Sequence, residues 1–188
     1  MDITIQPGFL SGSIAAIPSK SHAHRLLICA ALADGESVIS NLAFSQDILA
    51  TVDVLQAIGA KIEKIDDSTL KVLGIDGKPK SLSVLECRES GSTLRFMIPI
   101  CLLSPDEFKL SGSEKLLSRP LGVYSDIFKV RYCRPDGNTI TLKAGKPIKS
   151  GEYRINGGIS SQFITGLLFA LPCLAGDSVI HITETTES

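Results

Sequence analysis

A short polar turn, Pro18-Ser19-Lys20-Ser21-His22-Ala23-His24-Arg25, runs directly into the apolar stretch Leu26-Leu27-Ile28-Cys29-Ala30-Ala31-Leu32. Ser19 is a good helix N-cap, and Pro18 stands just ahead of it. The first turn of a helix offers unpaired N–H groups and a partial positive charge. Lys20, the Ser21 hydroxyl and Arg25 added to that turn give a site suited to a phosphate or a carboxylate. Taken alone, the same residues also describe a capped core helix with its cations in solvent. The elements around them have to decide.

Two later stretches have the same form. Glu89-Ser90-Gly91-Ser92-Thr93-Leu94-Arg95 opens the apolar run Phe96 to Leu103, and Gly157-Gly158-Ile159-Ser160-Ser161-Gln162 opens Phe163 to Leu171. Arg25 and Arg95 lie 70 positions apart, as do Val38 and Phe108 in the strands that follow. Val179, in Asp177 to Thr183, falls about two repeats on from Val38. Each unit reads as helix, strand, helix, strand hairpin, then a strand into the next unit. In the first unit Ser37 to Leu42 is a strand. Ser45-Gln46-Asp47 caps an amphipathic helix carrying Ile48, Val52, Leu55 and Ile58. Lys61 to Asp66 and Thr69 to Ile75 form a hairpin around Asp67-Ser68, and Ser83 to Cys87 is a further strand. In the second unit Ser118-Arg119-Pro120 introduces the second helix, with proline at its first position. Lys129 to Arg134 and Thr139 to Lys143 repeat the hairpin around residues 135–138. Residues 2–6 alternate like a short strand. A repeat this long has its own α/β character, so a closed pseudo-symmetric domain is expected rather than an open array.

Inward-pointing helices around a pseudo-threefold axis would bring the three starts to one end. Lys20, Arg25 and Arg95, with Arg119 as a fourth candidate, would then build a local anion site. Gly91 would let a ligand approach the backbone, and Gln162 offers both a donor and an acceptor. Taken singly, the serines and glycines are helix caps. Their recurrence beside cations points to a site. Ser188 lies 70 residues after Ser118, so the third unit is expected to be incomplete and the chain to be the N-terminal portion of a longer protein.

Composition narrows the function classes. The chain has 188 residues, 44% hydrophobic and 21% charged, with net charge −1, so any anion site must be local. A general nucleic-acid or membrane-surface binder is not expected. No apolar run reaches the roughly 18 residues of a membrane span, and no basic-then-apolar secretory leader is visible. Cys29, Cys87, Cys101, Cys133 and Cys173 are widely spread, which predicts reduced thiols in a cytoplasmic protein. His22, His24 and His181 form no ligand pattern, so neither metal nor cofactor is expected.

The Pro-x-Lys-Ser-x-x-x-Arg opening, Ser90-Gly91-Ser92-Thr93-Leu94-Arg95, the Arg119-Pro120 pair and Ser160-Ser161-Gln162-Phe163 occur in this order across essentially the whole chain. In this the chain resembles the enolpyruvyl transferases, specifically the 5-enolpyruvylshikimate-3-phosphate synthase family. The resemblance implies a protein more than twice this length. It would have two α/β (α+β) domains, each of three βαβαββ units, with the active site between them. Residues 1–17 would be a strand segment that packs with the other domain. Residues 18–188 would be the shikimate-3-phosphate-binding domain, with units at about 18–85, 86–155 and a truncated 156–188.

The resemblance also implies a reaction, a step of aromatic amino acid biosynthesis. The enolpyruvyl group of phosphoenolpyruvate passes to the 5-hydroxyl of shikimate 3-phosphate, releasing phosphate. Lys20 would contact both substrates. Ser21, Arg25, Ser160, Ser161 and Ser188 would hold shikimate 3-phosphate. Gly91 and Arg119 would hold phosphoenolpyruvate, and Gln162 would lie between the two. Arg95 would support the glycine loop. The family's catalytic Asp and Glu lie in the C-terminal half, so no catalytic residue is assigned here and this chain alone is expected to be inactive.

One departure stands in the glycine loop. The family's usual Asn-Ala-Gly-Thr is here Glu89-Ser90-Gly91-Ser92, and a carboxylate beside an anionic substrate is unfavourable unless it turns away or meets a cation. Two other readings share these residues. The UDP-N-acetylglucosamine enolpyruvyl transferases usually carry a Cys before the Arg-Pro pair, whereas Ser111 to Ser118 contains none. A non-catalytic anion-binding module would use the same cations without turnover.

Overall fold

The computed structural model describes residues 3–4, 6–9, 11–128, 132–133, 138–143 and 146–183, with 132 and 133 described by backbone alone. The repeat is visible in the chain path. The first unit contributes α1 (Lys20–Leu32), β1 (Glu36–Ile39), α2 (Gln46–Ala57), β2 (Lys61–Asp66) and β3 (Thr69–Leu73). The second contributes β4 (Leu85–Glu86), α3 (Gly91–Cys101), β5 (Glu107–Ser111), α4 (Glu114–Leu117), α5 (Gly122–Phe128), β6 (Tyr132–Cys133) and β7 (Thr139–Lys143). The third contributes β8 (Glu152–Ile155), α6 (Ser161–Ala170), a 3-10 turn (Leu171–Cys173) and β9 (Val179–Ile182).

Each unit builds its own small sheet. The strand orders are β1-β3-β2, β4-β5-β7-β6 and β8-β9. The β4–β5 and β8–β9 pairs are parallel, and the other pairs are antiparallel. Period-two patterning explains which face of each sheet is covered. In the first sheet Ile39 stands opposite Leu70, and both are buried with Val72. Lys71, on the other face, reaches Glu36 at 3.7 Å and Glu63 at 3.3 Å. In the second, Phe108 pairs with Leu142 and Leu110 with Ile140, all four buried. One face solvated and one packed is the usual antiparallel arrangement.

Serine caps five of the helices. Ser19, Ser45, Ser90, Ser113 and Ser160 each accept a backbone N–H from the first turn of α1, α2, α3, α4 and α6, respectively. Each such cap contributes about 1 kcal/mol. Helices α1, α3 and α6 carry much of the core, including Leu27, Ile28, Leu94, Met97, Ile98, Phe163 and Leu167.

Helices α3 and α6 meet through two helix-breaking residue types. Pro99 sits inside α3 and has no N–H to give the carbonyl of Arg95 one turn back. Opposite that carbonyl, α6 has Gly166. A β-carbon there would lie 3.0 Å from both Arg95 O and Pro99 Cγ and would overlap the Tyr124 hydroxyl. Tyr124 is fully buried, donates to Phe163 O at 3.0 Å and packs edge-on against the Phe163 ring.

Two expectations need correction, and a third falls partly outside the described residues. Ile3, Thr4 and Gln6 are in no strand, so the alternating 2–6 pattern does not form one among the described residues; no strand lies alongside to pair with it. The second helix of the second unit does not start at Ser118-Arg119-Pro120. Ser113 caps an earlier turn, α4, and the chain re-enters a helix only at Gly122. Pro120 therefore separates two helices. Finally, residues 129–131 and 134 of the expected basic strand, and residues 135–137 of its turn, lie outside the described residues. The backbone of 132–133 does pair antiparallel with β7.

The α3–α6 contact generates a stability prediction. Gly166→Ala gains up to about 1 kcal/mol of helix propensity, but overpacking a filled contact costs about 1–3 kcal/mol. A lower urea midpoint for the variant is expected; an unchanged or raised midpoint would show that Tyr124 and Pro99 yield freely.

Candidate anion site at the three helix starts

The starts of α1, α3 and α6 are joined by side chains. Gln162, in the first turn of α6, donates Nε2–H to Ser92 Oγ in the first turn of α3 at 3.0 Å. Its Oε1 accepts from Arg95 Nη1 at 2.6 Å. The Arg95 guanidinium also lies 5.1 Å from the centre of the Phe163 ring. Arg25 of α1 stands over Phe96 of α3, 5.8 Å from its centre. Cations over ring faces are attracted by the ring quadrupole, which adds to the tie between helices.

Gly91 and Arg119 are brought together. A β-carbon on Gly91 would lie 2.5 Å from Arg119 Nη1, so the guanidinium rests where a side chain would otherwise be. Arg119 follows directly on Ser118, the C-cap of α4, and Leu116 of the same helix also lies 3.9 Å from that position. Burial, and then the like charge of Arg119, lower the pKa of Arg95 below its usual range. Two guanidiniums near each other raise the local positive potential.

The charge balance is uneven across the fold. Arg88 is neutralised by Asp53 at 2.6 Å and also binds Gln46. Lys20 pairs with Asp47 of α2 at 2.5 Å. Among the described residues Arg25, Arg95 and Arg119 have no carboxylate partner. Arg25 folds back on its own helix and donates to Ser21 O at 2.8 Å. Glu89 is exposed and makes no ion pair among the described residues. Arg25 in α1, and Arg95 and Arg119 beside the start of α3, are guanidiniums without carboxylates among the described residues near helix N-termini, a setting that favours an anion.

Some expected residues remain apart. The Ser21 and Ser161 side chains are exposed and bond to no other member of the group, and Ser160 is engaged as the α6 cap. Ser188 lies outside the described residues. Arg95 contacts Gln162 rather than the glycine turn, and supports that turn only through Ser92. Asp47 was missed in the sequence. Its place in the first turn of α2 gave a cap signal, but nothing in the chain order showed that it would meet Lys20, 27 positions away.

Beneath the surface, His24 is 2% exposed and its Nδ1 lies 2.7 Å from Thr51 Oγ1. Burial lowers its pKa from 6.5 to about 4, with Lys20 and Arg25 adding to the shift and Asp47 opposing it.

A family model for EPSP synthase (3-phosphoshikimate 1-carboxyvinyltransferase) matches residues 5–188. The chain belongs to the EPSP synthase family. It is 45% identical to the 3-phosphoshikimate 1-carboxyvinyltransferase of Clostridium kluyveri, over 99% of this chain and 44% of that protein. It is 43% identical to the Clostridioides difficile protein of the same name, over 99% of this chain and 45% of that one. The chain therefore spans less than half the length of these relatives. A solved EPSP synthase from Acinetobacter baumannii has the same fold, with a TM-score of 0.79 at 20% identity, over 94% of this chain and 41% of that one. No helix of the described residues is long and apolar enough to cross a membrane.

Two outcomes follow from this geometry. Gly91→Ala will displace Arg119, the mobile end of a long side chain, so thermal stability should change little. Titration with a small phosphorylated carboxylate should show weakened binding, and undiminished affinity would place the ligand away from Arg119. The His24 shift makes stability depend on pH. Below 6.5 the unfolded ring takes a proton that the folded ring refuses until about pH 4. Unfolding free energy should therefore fall as pH drops through that window, by up to about 3 kcal/mol from this group. Urea denaturation at pH 7 and near pH 4.5 checks this. His24→Asn should have the shallower pH dependence, and equal slopes would contradict the buried neutral ring.

Proposed function

We propose that this chain is the substrate-holding part of a 3-phosphoshikimate 1-carboxyvinyltransferase. The observation that carries the reading is the trio of Arg25, Arg95 and Arg119, without carboxylate partners among the described residues, where α1, α3 and α6 are joined. A reaction between two polyanions needs such a region. Shikimate 3-phosphate and phosphoenolpyruvate repel each other in water, and fixed cations and helix N-termini offset that repulsion at no reorganisation cost.

In this reading the 5-hydroxyl oxygen of shikimate 3-phosphate adds to C2 of phosphoenolpyruvate while C3 takes a proton. The tetrahedral intermediate then expels phosphate, and loss of the proton from C3 regenerates the enol ether. Lys20 lies between the substrates, with its ammonium held by Asp47. Ser21, Arg25, Ser160, Ser161 and Ser188 hold shikimate 3-phosphate. Gly91 and Arg119 hold the carboxylate and phosphate of phosphoenolpyruvate, and Gln162 spans the two. Proton transfer needs further acid–base groups, which this reading places in the partner domain rather than in these residues. A cytoplasmic setting agrees with Cys29, Cys87, Cys101 and Cys173 all being free.

Calorimetric titration of the chain with shikimate 3-phosphate tests the reading. Saturable binding is expected, weakened at least about tenfold by Arg25→Ala, since a charge-assisted bond contributes about 1.5–3 kcal/mol. No heat at millimolar ligand would overturn the site as drawn. Inorganic phosphate binding as tightly as shikimate 3-phosphate would favour a general anion-binding module.

A further inference from the structure

A second polar system lies under the candidate site and is not accounted for by it. His24 of α1, Thr51 of α2, and Thr93 and Ser90 at the start of α3 are all buried, none more than 2% exposed. They form a continuous line. His24 Nδ1 is 2.7 Å from Thr51 Oγ1, Thr51 Oγ1 is 2.7 Å from Thr93 Oγ1, and Thr93 Oγ1 donates to Ser90 Oγ at 2.7 Å. Buried polar groups are unfavourable unless paired, and this line is not fully paired. His24 Nε2 is buried with no partner among the described residues.

Proton counting gives the line a direction. A threonine hydroxyl has one proton, and that of Thr93 is committed to Ser90. Thr51 must then donate to Thr93, in preference to its longer 3.2 Å contact with Asp47 O. His24 must donate from Nδ1 to Thr51. The ring is thus the neutral Nδ1–H tautomer, with Nε2 a bare acceptor. That is the less costly of the two orphans, since unpaired buried N–H groups are rarer than unpaired acceptors. Ser90 Oγ receives both the Thr93 hydroxyl and the Thr93 amide.

The position of α2 shows what the line does. Its first turn holds Lys20 through Asp47, and one turn later Thr51 holds the start of α3 through Thr93 and Ser90. Ser90 directly precedes Gly91, against which Arg119 rests, and Ser92, which receives Gln162. A single rigid helix turn therefore sets Lys20 and the Gly91 turn relative to each other.

We propose that His24, Thr51 and Thr93 are positioning residues for the Gly91–Arg119 half of the site, fixing the Ser90–Ser92 turn against Lys20. The proposal rests on the substrate reading above for the identity of the ligand, but not for the line itself. Ser160 and Ser161 make no hydrogen bond to the line, and α6 meets it only indirectly, through Gln162 and Ser92, so the two substrates should feel its loss unequally.

The test compares Thr51→Val, which keeps the shape and removes the hydroxyl, with Thr51→Ser, which restores it. The 188-residue chain is labelled with 15N and titrated with phosphoenolpyruvate and shikimate 3-phosphate. In the wild type the His24 ring nitrogens should report the neutral Nδ1–H tautomer. Thr51→Val should shift the Gly91 and Ser92 amides and weaken phosphoenolpyruvate about tenfold, the scale of one lost buried hydrogen bond. It should change shikimate 3-phosphate less than about twofold, and Thr51→Ser should recover both signals. Equal weakening of both ligands with a parallel fall in thermal midpoint would overturn the proposal in favour of a merely structural role. So would an Nε2–H tautomer, or unmoved loop amides in Thr51→Val. If the wild type binds neither ligand, the substrate reading fails, and the tautomer and loop amides still decide the line.

Discussion

The close approach of α3 and α6 depends on the missing β-carbon of Gly166. It faces a carbonyl that Pro99 has left without its helical N–H, and the buried Tyr124 hydroxyl fills the space beside it. With a bulkier residue there, α6 would stand off by the thickness of a methyl group. Gln162, one turn from the contact, would then lose its bonds to Ser92 and Arg95, which are 3.0 and 2.6 Å long and tolerate no such shift. A packing constraint inside the core thus fixes a polar contact at the surface. Core packing passes displacements on because it is dense and has few alternative arrangements.

That polar contact has an electrostatic consequence. Arg95 is half-buried and bonded to a neutral amide rather than a carboxylate, with a second guanidinium nearby. The arrangement is unfavourable in isolation and becomes favourable when an anion enters. Lys20 differs, since Asp47 neutralises it. A compensated lysine contributes less to attraction at long range, but its ammonium is held in one place. The site therefore divides into groups that attract an anion and a group that is aimed.

How much of this could be read from the chain follows from the range of each signal. The 70-residue repeat, the serine caps and the β2–β3 hairpin depend on neighbouring residues, and local pattern revealed them. The solved-structure likeness and the family match agree with the α/β units expected from it. The split into α4 and α5 was missed because Ser118-Arg119-Pro120 carries a valid helix-start pattern. Ser113, five residues earlier, carries an equally valid one, and it caps α4. The meeting of Gly91 with Arg119 was implied only by the family resemblance, and its closeness by nothing in the chain. Asp47 against Lys20 and Thr51 against Thr93 join residues 27 and 42 positions apart, and nothing local announces them. Thr51 in particular reads as one more half-polar position on an amphipathic helix.

The three helix starts descend from one pattern and yet offer three different environments. The α1 start is exposed and carries the cations Lys20 and Arg25. The α3 start is buried, with Ser90, Gly91 and Thr93 almost free of solvent. The α6 start is intermediate and neutral, with Ser160, Ser161 and Gln162. Backbone N–H groups are available at all three, so anion affinity follows from the repeat itself. Discrimination cannot follow from it, because identical starts would bind identical groups. It has to come from the side chains that break the symmetry. A phosphate can be met at an exposed serine-rich start, where its solvation is lost only in part. A ligand seated against the buried Gly91 turn loses more solvation, and needs the fixed charge of Arg119 to offset that loss. The repeat thus supplies the attraction, and departures from the repeat sort one anion from another.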